Sequence, residues 1–445
     1  SYSEVNSILQ DNNMWLGLFG GGINRVDTRR RQFNLHRLEE VKCRLSTNSV
    51  RSLLQDDEGF VWLGIGSFGL VRHDLNTDKC IHYTDLPGFR SVPVMPTVNA
   101  MMQRRNGEIW FATYNGGIYI YDKKAPVGKQ VKVILPEEEP WLLNCCVYRL
   151  LEDSAGNVWI GSRDGINVLT PAGEKYSFAE FKTTDAIYNH LAVMDILEDE
   201  KGNMWFATDQ QGIFRMNGNF YDPQKVTFTN YSGRNTKIQT NNVSCLYLDH
   251  KHRIWGGTEG EGLVLYDPQK DCFITMQKNL RLPGDVVHCM EEDKEGKLWL
   301  GTDVGLLRLQ VGDHIDSSCY RLYTTIDGLQ DNAFNRNAVF KSAGGELFFG
   351  GHKGYNSFRP EELQENRNIP PVVITDVKIA NRSWHQLDSV TRYQISALAP
   401  EFSDKVVLTY RDNNFNIDFA VLSYADPAQH KYAYRLEGFD TQWNY

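Results

Sequence analysis

A repeated aromatic anchor, followed two residues later by glycine or alanine, constrains the fold of this chain more than any other feature. The anchors are Trp15, Trp62, Trp110, Trp159, Trp205, Trp255, Trp299 and Phe348. The small residues after them are Gly17, Gly64, Ala112, Gly161, Ala207, Gly257, Gly301 and Gly350. The anchors are about 44 to 50 residues apart, a period that indicates a solenoid, a propeller or another repeat array.

A second column of residues is in phase with the anchors and opens an apolar segment upstream of each one. Its members are Val5, Val50, Val98, Val147, Val193, Val243 and Val287, and the spacing assigns Arg336 to this place in the last unit. Chance does not produce two columns in phase over most of a chain. The repeat is therefore structural.

Within one unit the pattern is that of short β-strands. The second unit contains the runs Val50–Gln55, Phe60–Gly64, Leu70–His73 and Cys80–Tyr83, separated by Asp-Glu-Gly, Gly-rich and Asn-Thr-Asp turns. Four strands in about 47 residues are typical of one β-propeller blade. A helical solenoid would need longer runs at a spacing of 3.6 residues, and none lies within the units.

The ends of the repeat array define the predicted domains. The last repeat lacks an obvious fourth strand, which the run Gln32–Leu38 from the other end of the array is expected to supply. We predict an all-β chain: residues 1–40 are the last repeat of a preceding propeller plus the closing strand, residues 41–360 are a seven-bladed β-propeller, and residues 370–445 begin a β-sandwich. An eight-bladed ring is the alternative. In the sandwich, strands are expected at Val372–Ile379, Val406–Tyr410, Asn416–Tyr424 and Tyr432–Leu436.

Composition argues against some classes of partner and leaves others open. The net charge of -9 argues against a nucleic-acid or anionic-membrane protein. No apolar run is long enough to span a membrane, and the chain reads as a segment of a longer protein. The eight cysteines show no metal-ligand spacing, and buried thiols are favoured over disulfides, which leaves the redox compartment open.

Two segments together carry a family resemblance. Residues 152–165 (EDSAGNVWIGSRDG) resemble the two-component-regulator propeller repeat, and Pro371–Asp376 with Tyr432–Asp440 (YAYRLEGFD) resemble the start of a triple-tyrosine domain. Repeats followed by this domain are similar to the periplasmic sensor region of hybrid two-component systems of Bacteroidetes. That resemblance implies an oligosaccharide ligand, a homodimer, and an inner-membrane protein whose transmembrane helix and histidine kinase lie beyond this chain. It also implies control of glycan-utilisation genes.

Other apparent motifs have simpler explanations. Gly64–Gly69 spells GxGxxG, but no helix follows it, so a dinucleotide site is not expected. The acidic turns are too tight for calcium loops and match hairpin turns. Histidines share no register, and no nucleophile or zinc motif is present. We therefore predict no cofactor, no metal and no catalysis, with a propeller polysaccharide lyase or hydrolase and a protein-binding scaffold as the alternatives.

The candidate ligand site lies on the face of the ring where loops enter the first strands and join the second strands to the third. The candidate ligand-binding residues are Trp141, Arg163, Asp164, Tyr188, His190, Asp209, Arg234, Asn335, Arg336, His352 and Lys353, and Tyr114, Gln210 and Lys237 share that face. Aromatic rings stack on the apolar faces of sugars, and charged or amide groups bind hydroxyl or acid groups.

Three charged residues at repeat positions carry separate expectations. Arg336 replaces a repeated valine, so it is expected either to bind ligand or to pack against the following domain. Arg149 and Asp195 stand in a column otherwise held by small residues in the first strands. They are expected to pair across the channel, and a structural ion pair is favoured over a ligand contact.

Overall fold

The computed structural model describes two compact units, residues 31–363 and residues 1–30 with 364–445. The described residues are 5–10, 14–18, 22–26, 32–38, 47–89, 92, 95–234, 236, 238, 240–312, 319–363, 372–396, 398–403, 405–410, 412, 414–421 and 432–444. Cys43, Lys237, the linker residues 364–370 and the side chain of Trp15 lie outside this set.

The unit of residues 31–363 contains seven four-stranded antiparallel sheets in its described part, and these are the blades of a β-propeller. Four strands come before the first blade: β1 (Val5–Gln10), β2 (Met14–Leu18), β3 (Gly22–Val26) and β4 (Asn34–His36). Blades 1 to 3 follow: blade 1 is β5 (Val50–Gln55), β6 (Val61–Ile65), β7 (Gly69–Asp74) and β8 (Lys79–His82); blade 2 is β9 (Val98–Gln103), β10 (Ile109–Thr113), β11 (Ile118–Tyr121) and β12 (Val131–Ile134); blade 3 is β13 (Val147–Glu152), β14 (Val158–Ser162), β15 (Gly165–Leu169) and β16 (Lys175–Phe178). A hairpin of β17 (Glu180–Lys182) and β18 (Ile187–Asn189) leads to the remaining blades: blade 4 is β19 (Val193–Glu198), β20 (Met204–Thr208), β21 (Gly212–Asn217) and β22 (Thr227–Tyr231); blade 5 is β23 (Val243–Leu248), β24 (Ile254–Thr258), β25 (Leu263–Asp267) and β26 (Cys272–Thr275); blade 6 is β27 (Val287–Glu292), β28 (Lys297–Thr302), β29 (Leu306–Gln310) and β30 (Tyr320–Tyr323); blade 7 contains β31 (Phe334–Lys341), β32 (Leu347–Gly351) and β33 (Gly354–Phe358). The all-β propeller prediction is confirmed.

The ring closes through a strand from its N-terminal side. Blade 7 takes β4 as its fourth strand, and β4 pairs antiparallel with β33. The first strands of neighbouring blades contact one another around the ring, and β31 contacts β5. The first strands therefore line a central channel.

The anchor aromatics hold the blades together. The seven from Trp62 to Phe348 are at most 1% exposed. Each packs in a cluster that joins its own blade to the next, so that Trp62 contacts Phe111 of blade 2 at a ring-centroid distance of 5.5 Å and Phe348 packs with Leu63 of blade 1. The predicted equivalence of these positions is confirmed.

A turn carboxylate fixes the anchor in blades 1, 3, 4, 5 and 6. The aspartates Asp56, Asp153, Asp199, Asp249 and Asp293 lie six residues before the tryptophan and accept a hydrogen bond from its indole Nε1 at 2.7–2.9 Å. In Asp249 the other carboxylate oxygen accepts the backbone N–H groups of Lys251 and Arg253. Burial disfavours the charged form, but the hydrogen bonds from Trp255 and Arg253 outweigh it and lower the pKa of Asp249. The same side chain thus closes the hairpin and satisfies a buried donor.

Blades 2 and 7 depart from this pattern in a way that supports it. In blade 2 the turn position is Arg104, and Glu108 accepts from the indole of Trp110 at 3.1 Å instead. In blade 7 the anchor is Phe348, which has no N–H donor, and Ser342 closes the turn by accepting from the backbone N–H of Glu346. The acceptor is present where the indole requires one.

The small residue after each anchor leaves room for the next blade. A Cβ atom on Gly257 would lie 2.8 Å from the carbonyl oxygen of Val287, and one on Gly161 would lie 2.9 Å from that of Val193. The first strand of the following blade therefore approaches this position through its backbone. This close approach explains the Gly and Ala column.

The second unit is described by two small sheets. Strands β1, β2 and β3 form one, and β34 (Val372–Ile379), β35 (Arg382–Ser383) and β36 (Phe415–Val421) form the other in the order β35-β34-β36. The strands predicted at Val406–Tyr410 and Tyr432–Leu436 are not found, since these apolar runs have no partner strand among the described residues and strand propensity depends on pairing. Tyr434 makes an isolated bridge with Asn444.

The helical segments are short. α1 (Gln277–Leu280) lies in blade 5's connection to blade 6, and α2 (Ser389–Ile395) begins after Asp388, whose side chain accepts the backbone N–H groups of Val390 and Thr391. The 3₁₀ helices are Tyr83–Asp85, Pro87–Phe89, Pro223–Lys225, Thr325–Asp327, Pro360–Glu362, Trp384–Gln386 and Pro400–Phe402. No helix in the described ranges is long and apolar enough to cross a membrane.

The cysteines are not all thiols. Cys80 is disulfide-bonded, so the preference for thiols is wrong at this position. Cys145, Cys146, Cys245, Cys272 and Cys289 carry thiols. Cys245 and Cys289 are buried beside the channel, as the sequence predicted, and burial raises the pKa of both thiols.

A histidine cluster lies where the ring closes. The His36 ring in β4 stacks on Tyr355 at a centroid distance of 4.4 Å, and its Nε2 lies 3.1 Å from Ser357 Oγ. His73 Nδ1 lies 2.7 Å from the hydroxyl of Tyr355, and its Nε2 lies 3.1 Å from Asp78 Oδ1. Burial and the neighbouring His73 lower the pKa of His36 to about 4, although Asp78 opposes the shift.

We expect Trp159→Ala to lower the free energy of unfolding by about 3 to 5 kcal/mol, because a buried aromatic ring is replaced by a cavity. Val127, which is 80% exposed, provides the control Val127→Ala, which should change stability by less than about 0.5 kcal/mol. Both values come from chemical denaturation followed by circular dichroism. A loss below about 1 kcal/mol in Trp159→Ala would contradict the anchor role.

We expect the ring closure to weaken as pH falls from about 6.5 towards 4. Because the folded state lowers the pKa of His36 to about 4, the unfolded chain binds the proton first, and stability present above pH 6.5 is lost below it. His36 contributes a loss of about 2 kcal/mol between pH 7 and pH 5. His36→Gln should flatten the dependence of unfolding free energy on pH in this window, and an unchanged slope would contradict the assignment.

Candidate functional site

Two rings of equivalent residues surround one mouth of the channel. The outer ring lies four residues after each anchor and comprises Gly66, Tyr114, Arg163, Asp209, Glu259, Asp303 and His352. In blades 1 to 5 the backbone N–H of this residue donates to the carbonyl of the residue that precedes the first strand, at 2.9–3.1 Å. This bond fixes the loop at the mouth.

The inner ring is made by a bulge in each first strand. The pairing register shifts after the first residue of β5, β9, β13, β19, β23 and β27, which leaves Arg51, Asn99, Tyr148, Met194, Ser244 and His288 opposite no partner. Bulges re-aim side chains at barrel and sheet rims. Here they place the inner ring next to the outer one.

Blades 2 to 4 place a mixed polar and aromatic cluster at the mouth, which we call the mouth cluster: Tyr114, Tyr148, Arg163 and Asp209. Tyr114 is 50% exposed and Tyr148 is half-buried. Burial raises the pKa of the Tyr148 phenol, Tyr114 and Asp209 raise it further, and Arg163 opposes them, so these groups lie within electrostatic reach of one another. The cluster offers aromatic surface, a cation and a carboxylate together.

Blades 5 to 7 carry a second group of charges that is already paired. Arg336 Nη2 forms an ion pair with Glu259 Oε1, and both side chains are about one-third exposed. His288 lies within electrostatic reach of both; burial lowers its pKa, with Arg336 acting in the same direction and Glu259 opposing. This part of the mouth is therefore occupied by an internal contact.

The first strand of blade 7 contains an insertion that changes the repeat alignment. In blade 7, Phe334 pairs with Gly351 and Val339 pairs with Phe349, so the first strand uses five residue steps to span two steps of the second strand. In blade 1 the corresponding span, from Val50 to Leu53, takes three steps. Phe334 takes the place of the repeated valine, and a Cβ on Gly301 would lie 3.2 Å from its Cβ. The assignment of Arg336 to the valine column is therefore wrong, because counting back from the turn ignores the inserted residues.

The segment that contains the insertion, residues 335–337, crosses the channel, and we call it the plug. Asn337 has φ 54° and donates through Nδ2 to the carbonyls of Met194 at 3.0 Å and Ser244 at 3.3 Å. Asn335 donates to the carbonyl of Val50 at 2.7 Å. Blade 7 is thereby tied to blades 4 and 5 on the far side of the ring as well as to blade 1. Arg336 is the plug's charged residue, and its partner is Glu259 within the ring.

The structure brings together part of the predicted site. Arg163 and Asp209 belong to the mouth cluster, and Asp164 accepts a hydrogen bond from Asn144 at 2.7 Å and lies 3.7 Å from His190 Nδ1. Gln210 follows Asp209 and is exposed. This region, on blades 3 and 4, is the best-assembled portion of the candidate set.

Other predicted residues lie elsewhere or have structural partners. The carbonyl of Trp141 accepts from Ser177 in the outermost strand of blade 3, and its indole donates to Glu139, so this residue lies at the blade's outer edge. Tyr188 is in β18 and packs on Phe214 at a centroid distance of 5.3 Å.

The remaining candidates lie in the plug or in loops that follow strands of the ring. Asn335 is buried in the plug, Lys353 pairs with Asp331 at 2.9 Å, and His352 and Arg234 are exposed loop residues.

The predicted pair of Arg149 and Asp195 is confirmed. Arg149 Nε lies 2.8 Å from Asp195 Oδ1, and Asp195 is 2% exposed. Asp195 also accepts the backbone N–H groups of Ile196 and Leu246. Burial raises the pKa of Asp195, with Arg149 opposing the shift.

The sequence did not single out Tyr148, Glu259, His288 or Asn337. Tyr148 and His288 lie one residue after the repeated valine, and Glu259 lies four residues after its anchor tryptophan. Comparing these two repeat positions across the blades would have identified all three residues. Asn337 had no such signal because it belongs to the insertion. Among the described residues, no group of three or more His, Cys, Asp or Glu side chains is placed to hold a metal ion.

Comparison with known proteins identifies the repeats. The model of the two-component regulator propeller matches residues 44–66, 142–164, 188–210 and 281–304. These four segments are similar to the two-component regulator propeller repeat. Each segment contains the first two strands of one blade, in blades 1, 3, 4 and 6, together with the loop that leads into the first strand.

The chain is also similar to proteins of bacterial signalling. A histidine kinase of Formosa agariphila (histidine kinase P4) is 24% identical over all of this chain and 28% of its own length. The extracellular domain of a putative hybrid two-component system from B. thetaiotaomicron is 25% identical, with a TM-score of 0.73, over 99% of this chain and 56% of that one. This chain therefore spans about a quarter and about half of these relatives.

A further similarity concerns the fold alone. A virginiamycin B lyase from Staphylococcus aureus is 15% identical, with a TM-score of 0.51, over 73% of this chain and 97% of that one. It shares the propeller architecture. At this identity the similarity carries no information on activity.

We expect Asn337→Ala to destabilise the propeller by about 1 to 3 kcal/mol, because two buried carbonyls lose their donor. Alanine is also less tolerant of positive φ than asparagine. Asn337→Gly is the matched control, since it keeps the backbone freedom and loses only the hydrogen bonds. Comparing the two variants by chemical denaturation separates the cost of the lost hydrogen bonds from the cost of the positive φ. Wild-type stability in both variants would rule out the bracing role of the plug.

Proposed function

We propose that this chain is a ligand-sensing part of the extracytoplasmic region of a hybrid two-component receptor, and that its ligand is a glycan-derived oligosaccharide. The observation that carries the proposal is the similarity, over 99% of the chain, to the extracellular domain of a putative hybrid two-component system. The propeller repeats and the similarity to a histidine kinase support the same assignment. Ligand binding in this region would control the kinase and the transcription of glycan-utilisation genes.

The mouth cluster supports an oligosaccharide as the ligand. Tyr114 presents an exposed ring on which a sugar face can stack, and Arg163 and Asp209 supply a donor and an acceptor for hydroxyl groups. Asp164 and His190 extend the polar surface along blade 3. Of the candidate residues, these are the ones we propose as ligand contacts.

The disulfide supports the location. Cys80 is disulfide-bonded, and disulfides persist in oxidising compartments such as the bacterial periplasm. We propose that the region is periplasmic, as part of an inner-membrane protein, and that the receptor is a homodimer.

Catalysis is the rival function, and the electrostatics of the mouth cluster weigh against it. A glycan lyase uses a base such as Tyr or His to remove a proton. The surroundings of Tyr148 raise the pKa of its phenol, which disfavours the phenolate that such a base requires. A scaffold that binds only proteins is the other rival.

We expect saturable binding of at least one oligosaccharide in a panel titrated by calorimetry, without release of products detected by chromatography. Arg163→Met should weaken that binding at least about tenfold, since a charge-assisted hydrogen bond contributes about 1.5 to 3 kcal/mol. Lys129→Met, at an exposed lysine in the β11–β12 connection, is the control that should leave affinity unchanged.

Three outcomes would contradict parts of this proposal. Turnover of the oligosaccharide would replace the sensor with an enzyme. The absence of binding across the panel would favour the scaffold. Binding that is equal in the wild type and in Arg163→Met would remove the mouth cluster from the ligand site.

A further inference from the structure

A cavity of about 580 Å³ lies at the end of the channel opposite to the mouth. Its walls are the later residues of the first strands: 52–55 of blade 1, 100–103 of blade 2, 149–152 of blade 3, and 339–341 of blade 7, with Glu291 from blade 6. We call this cavity the chamber. The volume lies within the range of about 300 to 1,000 Å³ that is usual for small-molecule sites.

The plug forms the inner end of the chamber. Asn337 lines the cavity, and its side-chain amide is held by the carbonyls of Met194 and Ser244 on the far side of the channel. The same segment carries Arg336, which pairs with Glu259 at the mouth. The chamber and the mouth cluster are thus separate sites at the two ends of one channel.

Two ion pairs contribute charged groups to the chamber, and Arg105 and Glu152 line it as well. Arg149 lines the cavity with one-third of its side chain exposed, and its Nε lies 2.8 Å from Asp195. Lys341 Nζ donates to the carbonyl of Glu292 at 2.6 Å and lies 3.8 Å from Glu291 Oε1. With Asp195 counted as the partner of Arg149, three cations and three carboxylates give the site no formal net charge.

The remaining lining combines amides with apolar surface. Gln55, Gln103 and Asn337 contribute carboxamide groups, and Met101, Met102 and Phe340 contribute apolar area. A sugar ring has the matching character, with hydroxyl groups that both donate and accept around its edge and C–H groups on its faces.

The ion pair of Arg149 and Asp195 is costly if it serves only the fold. The equivalent positions in the other blades hold Ser52, Ala100, Cys245, Cys289 and Ala338. Small uncharged residues therefore suffice for the column. Burying a carboxylate and a guanidinium costs desolvation energy that apolar residues avoid.

We infer that the chamber is a second binding site, and that it takes a small neutral polyhydroxylated ligand of about one hexose unit. Arg149 and Lys341 donate to ligand hydroxyls, Glu291 and the Asn337 carboxamide oxygen accept, and Phe340 packs against an apolar ring face. A ligand with a full charge of either sign would leave that charge without a counter-charge of its own. The inference does not depend on what the mouth cluster binds.

The test uses methyl glycosides of glucose, galactose and mannose as probes, with glucuronic acid as the charged comparison, in calorimetric and ligand-observed NMR titrations. The chamber variants are Lys341→Met and the double variant Arg149→Met with Asp195→Asn, which removes both partners of the buried pair together. Lys129→Met is the control, and Arg163→Met tests whether a probe binds at the mouth instead. Thermal unfolding establishes that each variant is folded, and Phe340→Ala replaces the double variant if that one does not fold.

At least one methyl glycoside should bind more tightly than glucuronic acid, and the chamber variants should weaken this binding at least tenfold, while Lys129→Met changes it by less than twofold. No binding of any methyl glycoside by the wild type would overturn the inference. Equal affinity in the chamber variants, or an equal loss in Arg163→Met, would overturn it as well. Each of these outcomes leaves open the binding of longer oligosaccharides at the mouth, which is tested separately.

Discussion

The hydrogen bond from an anchor indole to a turn aspartate is the interaction on which the ring depends. The tryptophan must be buried between two blades to hold them together, and a buried N–H donor without an acceptor is costly. Asp153 and Asp249 provide the acceptor from the hairpin of the same blade, and they close that hairpin with their other oxygen. Turn geometry, blade packing and ring closure are therefore coupled through one side chain in each of these blades.

The repeat made the architecture predictable, and departures from the repeat account for what was missed. Strand positions in the ring follow the anchor and valine columns because the same contacts recur at each interface. Arg336 was assigned wrongly because the alignment assumed no insertion, whereas blade 7 inserts residues between Phe334 and Val339. Beyond residue 371 no repeat constrains the pairing, and there the β-rich run at Val406–Tyr410 is not a strand.

The candidate site was predictable only as a face of the ring. Loop topology predicted one face for Arg163, Asp209 and Trp141 alike, but the backbone carbonyl of Trp141 accepts a hydrogen bond from the outer strand of blade 3. Side-chain partners decided the rest, since Arg336 and Lys353 are engaged in ion pairs. The chamber had no signature beyond Arg149 and Asp195, because its walls come from strands of five blades that are distant in sequence. The plug adds a physical consequence: it separates two ends of a channel that an uninterrupted repeat would leave continuous.

The central claim is that this propeller senses ligands through its channel without transforming them. Amide hydrogen exchange with and without a bound oligosaccharide, read by mass spectrometry, tests it most directly. Because the first strands and the plug line the channel, the account predicts increased protection in residues 147–152, 193–198 and 334–341 together with unchanged ligand after incubation. Protection confined to the outermost strands, or conversion of the ligand into products, would contradict it.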